Sequence, residues 1–114
     1  MSSKKVIKLT AAQALIRFMI AQKVKINDEI KPLFPGVWAI FGHGNVAGIG
    51  EALFQHQEAL PTYRGQNEQS MAHAAIAYSK TLNRQQIMAC TSSAGPGSTN
   101  IVTAAALAHI NRIP

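Results

Sequence analysis

Apolar and polar positions along the chain fall into alternating helical and extended stretches. Ala11, Leu15, Phe18 and Met19 recur at helical spacing and predict one apolar face, with Gln13 and Arg17 on the wet side. Thr10 precedes this run as its N-cap. The pattern fades between Lys23 and Asp28, and Pro32 and Pro35 predict a loop. Val37-Trp38-Ala39-Ile40-Phe41 has no polar position, as a strand covered on both faces requires. Gly42-His43-Gly44 ends it, and Val46 to Gln57 predicts a helix that Gly48 and Gly50 weaken.

The second half repeats this order. Leu60 to Tyr63 is a short candidate strand, with Pro61 suited to its start or to an edge position. Asn67 caps an alanine-rich helix running from Glu68 to about Thr81. Gln86 to Thr91 predicts a further strand, and Thr99 or Asn100 to about Ile110 the last helix. Three strand–helix repeats imply an α/β fold: right-handed crossovers, a mainly parallel sheet and helices on both faces. The 114 residues allow one domain. Three parallel strands cover little surface, and Ala104 to Pro114 leads out of a helix toward where another strand would begin. The expectation is therefore a single partial domain over residues 1–114, lacking its last strands.

Composition excludes more than it proposes. The 47% hydrophobic and 14% charged content suits a globular chain, and no apolar run is long enough to span a bilayer. No signal-peptide core follows Met1-Ser2-Ser3-Lys4-Lys5, and Cys90 is a single cysteine, so a cytoplasmic location is the default. The net charge of +6 gathers at Lys4, Lys5, Lys8, Arg17, Lys23, Lys25 and Lys31, without interleaved aromatic residues to stack bases. Solvated surface charge accounts for it, and neither a nucleic-acid nor a membrane partner is expected.

Two turns carry candidate chemistry. Gly42-His43-Gly44-Asn45-Val46-Ala47 follows a strand and imitates a dinucleotide fingerprint, yet no acid stands where a ribose would need one. Ser92-Ser93-Ala94-Gly95-Pro96-Gly97-Ser98-Thr99-Asn100 also joins strand to helix. Local physics reads it as an anion site, although the Gly-Lys-Ser or Gly-Lys-Thr of a nucleotide loop is missing. Glu68 stands in a first helical turn, where an acid commonly does no more than offset the helix dipole. His73 reads as a satisfied core histidine, His56 and His109 as ordinary helical residues, and Cys90 as buried and inert. No metal-ligand spacing and no Ser–His–acid set is present.

Taken together, Arg64, Glu68-Gln69, His73-Ala74 and Gly95-Pro96-Gly97-Ser98-Thr99-Asn100 resemble the pyrimidine-binding domain of thiamine-diphosphate enzymes of the acetolactate synthase superfamily. Phe34 to Gly50, Asn67 to Tyr78 and Met88 to Asn111 are closer to one branch, hydrolases that open a cyclic dione during inositol breakdown. Such enzymes are several-fold longer. The resemblance implies that Glu68 is catalytic, hydrogen-bonding the aminopyrimidine ring nitrogen of thiamine diphosphate so that the cofactor loses its thiazolium proton. It places Gly42, His43, Ser93, Pro96 and Asn100 beside the cofactor, with Gln69 and His73 in support. It also implies that a separate C-terminal domain holds the diphosphate and Mg, and that a second subunit of a homo-oligomer completes the site around a small-molecule substrate. A carboligase like the synthase, a dinucleotide-binding reductase and a non-catalytic interaction module are the alternatives.

Overall fold

A computed structural model describes residues 6–114; Lys4 and Lys5 lie outside them. α1 (Ala11–Ala21) leads into a hairpin of β1 (Lys23–Ile26) and β2 (Glu29–Pro32). β3 (Val37–Ala39) is followed by a short α2 (His43–Asn45), a π-helical stretch from Val46 to Gly50, and α3 (Glu51–Gln55). Then come β4 (Thr62–Arg64), α4 (Glu68–Thr81), β5 (Ala89–Thr91), α5 (Pro96–Asn100) and α6 (Val102–Ile110).

The sheet is parallel in the order β4-β3-β5, with Val37 opposite Thr62 on one side and Ala89 on the other. Strand alternation divides the side chains between two cores. On one face Val37 and Ala89 pack with Ile16 and Met19 of α1, Ala52 and Leu53 of α3, and Leu60. On the other, Cys90 packs with Ala72 and Ile76 of α4 and Ala104 of α6, while Trp38 and its register partner Tyr63 set their rings 5.5 Å apart. Helices on both faces follow from the strand order. The chain moves one way from β3 to β4 and back past β3 to β5, so crossovers of constant hand must lie on opposite faces.

Several expectations are corrected. The buried stripe of α1 is Ala12, Ile16, Met19 and Ile20; Leu15 and Phe18 are 47% and 61% exposed. Thr10 does cap this helix, in a capping box with Gln13. The stretch expected to be loop is the β1–β2 hairpin, turned by Asn27 and Asp28 at φ 49° and 66°, the backbone that favoured two-residue hairpin turns need. The helix expected from Val46 to Gln57 is interrupted: the Glu51 N–H reaches the Val46 carbonyl five residues back, the π spacing, around Gly48 and Gly50. The strands are shorter than their apolar runs, and the last helical segment opens at Pro96 and breaks at Ile101.

Candidate active site

The carboxyl ends of β3 and β5 lie side by side, and their connections leave toward opposite faces, the arrangement at which open α/β sheets bind ligands. Gly42, His43, Gly44 and Asn45 after β3 form one wall of a crevice of about 430 Å³, and Ser93, Ala94 and Pro96 after β5 form the other. Two contacts set its width. A Cβ at Gly42 would lie 2.5 Å from the Ser93 Cβ, so only glycine allows this approach. The Asn45 Nδ2 donates to the Ser92 carbonyl at 3.0 Å.

The second wall is tied to itself. Gly95 takes φ 73°, open to glycine at little cost, and starts α5 with Pro96 in its first turn. The Ser98 N–H and Oγ both donate to the Ser93 carbonyl, at 3.0 and 2.9 Å, and the Thr99 N–H donates to the Gly95 carbonyl at 2.9 Å. Gly97 is buried, because its Cα faces the Ser93 Oγ and lets Glu68 come close: a Cβ there would sit 2.8 Å from Oε1 of Glu68.

Glu68 opens α4, where the extended backbone of Asn67 brings its side chain to accept the Ser70 N–H at 3.0 Å. The carboxylate stands near the positive end of the helix and accepts the Asn100 Nδ2 at 3.0 Å on Oε2. That amide, then the backbone N–H of Glu68 itself, holds the carboxyl below its ordinary value of 4.5, with desolvation a weaker opposing effect. The side chain is half-buried by exposed area although desolvation is slight, which agrees with a carboxylate at the rim of a cleft.

Gly42, His43, Ser93 and Pro96 therefore line one crevice, whereas Glu68 and Asn100 form a pair on the far side of Ser93 and Gly97. Gln69 is half-buried, and its carbonyl accepts from the His73 ring at 2.9 Å, which requires the proton on Nδ1. Burial pushes the Cys90 thiol up to about 11, so it stays protonated. Asn45 was not singled out from the sequence; its one signal is an asparagine in a strand-to-helix turn. In the dinucleotide-like turn Ala47 is exposed, and no described atom lies within 4 Å of where a Cβ of Gly44 would be.

A second cavity of about 200 Å³ lies among α4, α6 and β5, lined mainly by apolar side chains. Ser79 is fully buried there with its Oγ unpartnered among the described residues. No helix among those residues is long and apolar enough to cross a membrane.

Residues 36–114 match the model of a family described as thiamine pyrophosphate enzyme, N-terminal TPP binding domain. The chain is 52% identical over 112 residues to a 3D-(3,5/4)-trihydroxycyclohexane-1,2-dione hydrolase of Listeria monocytogenes, covering 98% of this chain and 18% of the relative. Identity to a hydrolase of the same name from Halalkalibacterium halodurans is 56% over 108 residues, 95% of this chain and 17% of the relative. For that of Lacticaseibacillus casei it is 51% over 113 residues, 99% and 18%. No solved structure matches the chain. A parallel sheet flanked by helices, a crevice at its switch point and a family match over most of the length agree: the chain belongs to the thiamine pyrophosphate enzymes, within their N-terminal TPP binding domain.

Proposed function

We propose that the chain is the pyrimidine-binding part of a longer thiamine-diphosphate-dependent hydrolase that cleaves a carbon–carbon bond of a cyclic trihydroxydione; its relatives are named trihydroxycyclohexanedione hydrolases. About half of its residues are identical to theirs over nearly its whole length. The observation that carries the proposal is Glu68 at the head of α4, fastened to the Ser92–Asn100 turn across Gly97.

The residues present fit the heterocyclic end of the cofactor better than its diphosphate. No Lys or Arg among the described residues lines the crevice, and the nearby Glu68 carboxylate opposes a second anion. When bound, the cofactor supplies the carbanion chemistry that side chains cannot. The chain's task is then to bind, orient and move a proton. Glu68 holds a basic ring nitrogen through a carboxyl oxygen and exchanges a proton with it, which an amide in its place could not do. Gly42, Ser93 and Pro96, which line the crevice, would hold the ring, with Asn100 beside Glu68. His43 is exposed at the crevice rim, where an imidazole can reach substrate. Gln69 and His73 support the helix start through their mutual hydrogen bond. In this assignment the diphosphate and its magnesium are held by another domain of the longer polypeptide. A second subunit closes the site of a cytoplasmic homo-oligomer.

Glu68→Gln in the full-length protein tests the proposal. The turnover number should fall at least about a hundredfold, the scale of lost proton-transfer catalysis, with the fold intact by circular dichroism. Turnover at the wild-type rate would remove Glu68 from the chemistry.

A further inference from the structure

Asn100 ends α5 with its side chain turned toward the head of α4. Its Nδ2 takes Oε2 of Glu68 at 3.0 Å, while Oε1 lies over Gly97, 2.8 Å from where a Cβ would stand. The two carboxylate oxygens are therefore not equivalent. Among the described residues, no other side chain hydrogen-bonds Glu68 and no cation pairs with it.

The surrounding elements add little competing charge. β3 and α5 carry no titratable residue, β5 carries Cys90, and α6 carries His109. His73, Tyr78 and Lys80 lie on α4 itself, and Tyr63 and Arg64 on the preceding strand. An amide can hold one carboxylate oxygen without bringing a charge or a titratable proton of its own. A lysine or arginine there would clamp Glu68 in its ionised form.

We propose that Asn100 is a positioning residue for Glu68: by occupying Oε2 it leaves Oε1 as the oxygen that exchanges a proton with a ligand's ring nitrogen. This rests on the role of Glu68 proposed above. Without ligand, the Asn100 amide is the largest influence holding the carboxyl below its ordinary range. A proton shared between Oε1 and the ring must then be drawn from solvent as the cofactor binds.

Calorimetric titration of the full-length protein with thiamine diphosphate and magnesium, in buffers of different ionisation enthalpy, counts that proton. At about pH 5.5, Asn100→Asp should take up as much as about one proton fewer than wild type, because two facing carboxylates already retain one between them. Equal uptake in the two proteins would overturn the positioning role. Glu68→Gln separates this from the underlying assignment. If its uptake equals that of wild type, Glu68 is not the exchanging group; if it drops while Asn100→Asp matches wild type, only Asn100 is misassigned. Should Asn100→Asp fail to bind, Asn100→Ala decides. Losing the donor raises the Glu68 pKa, so the alkaline limb of the kcat/KM profile, where the shared proton is lost, moves to higher pH and kcat falls about tenfold. An unshifted limb would refute the proposal.

Discussion

Single glycines decide how close the site's parts come. At Gly97, an added Cβ meets the Ser93 Oγ and Oε1 of Glu68 together, whereas Gly44 and Gly48 have open space. Gly97→Ala should destabilise the protein by about 1–3 kcal/mol, the usual cost of overpacking. It should also displace Glu68. Gly44→Ala and Gly48→Ala should stay within about 0.5 kcal/mol, as substitutions without new contacts do. Chemical denaturation of the three variants checks both statements, and equal effects would show that the Gly97 approach does not constrain the fold. Glu68, Asn67 and the Gly-Pro-Gly turn were legible in the sequence because capping and glycine chemistry are local. The Asn100–Glu68 bond was not, since it joins residues 32 apart whose distance only folding sets.

At the scale of elements, α1 shows how a periodic pattern can name the wrong face. The expected set Ala11-Leu15-Phe18-Met19 and the buried set Ala12-Ile16-Met19-Ile20 both satisfy helical spacing and share Met19, because the helix is apolar around most of its surface. Packing on Val37 and Leu53 selects the second set. Ile16, 2% exposed, should cost about 2–5 kcal/mol when replaced by alanine, and Leu15, 47% exposed, less than about 1. Thermal or urea unfolding of the two variants distinguishes them. The β1–β2 hairpin was overlooked for a different reason. Lys23-Val24-Lys25-Ile26 does alternate, and Asn27-Asp28 is turn-forming, but the pattern is short and its lysines read as solvated charge. The exposed pairs Lys25–Asp28 and Lys31–Glu29 hold it weakly, as surface ion pairs do.

At the scale of the molecule, the parallel sheet has three strands among the described residues, and exposed apolar side chains such as Phe54, Val102 and Ile110 remain on the helices. The chain spans about 18% of the length of the hydrolases it matches. In the assignment proposed above the chain supplies the heterocycle's part of a cofactor site, and no Lys or Arg among the described residues lines the crevice. The isolated 114-residue chain should therefore bind thiamine diphosphate more weakly than micromolar, even with magnesium. Isothermal titration showing micromolar affinity would contradict the division of the site between domains.

The sequence alone determined the repeating strand–helix order, the capped start of α4 at Asn67 and Glu68, and the two glycine-bearing turns. Each of these is written in neighbouring residues through period, capping and φ preference. Tertiary structure decided which face of α1 is buried and which oxygen of Glu68 Asn100 holds. Those outcomes depend on distances between residues far apart in the chain, and packing in three dimensions sets such distances.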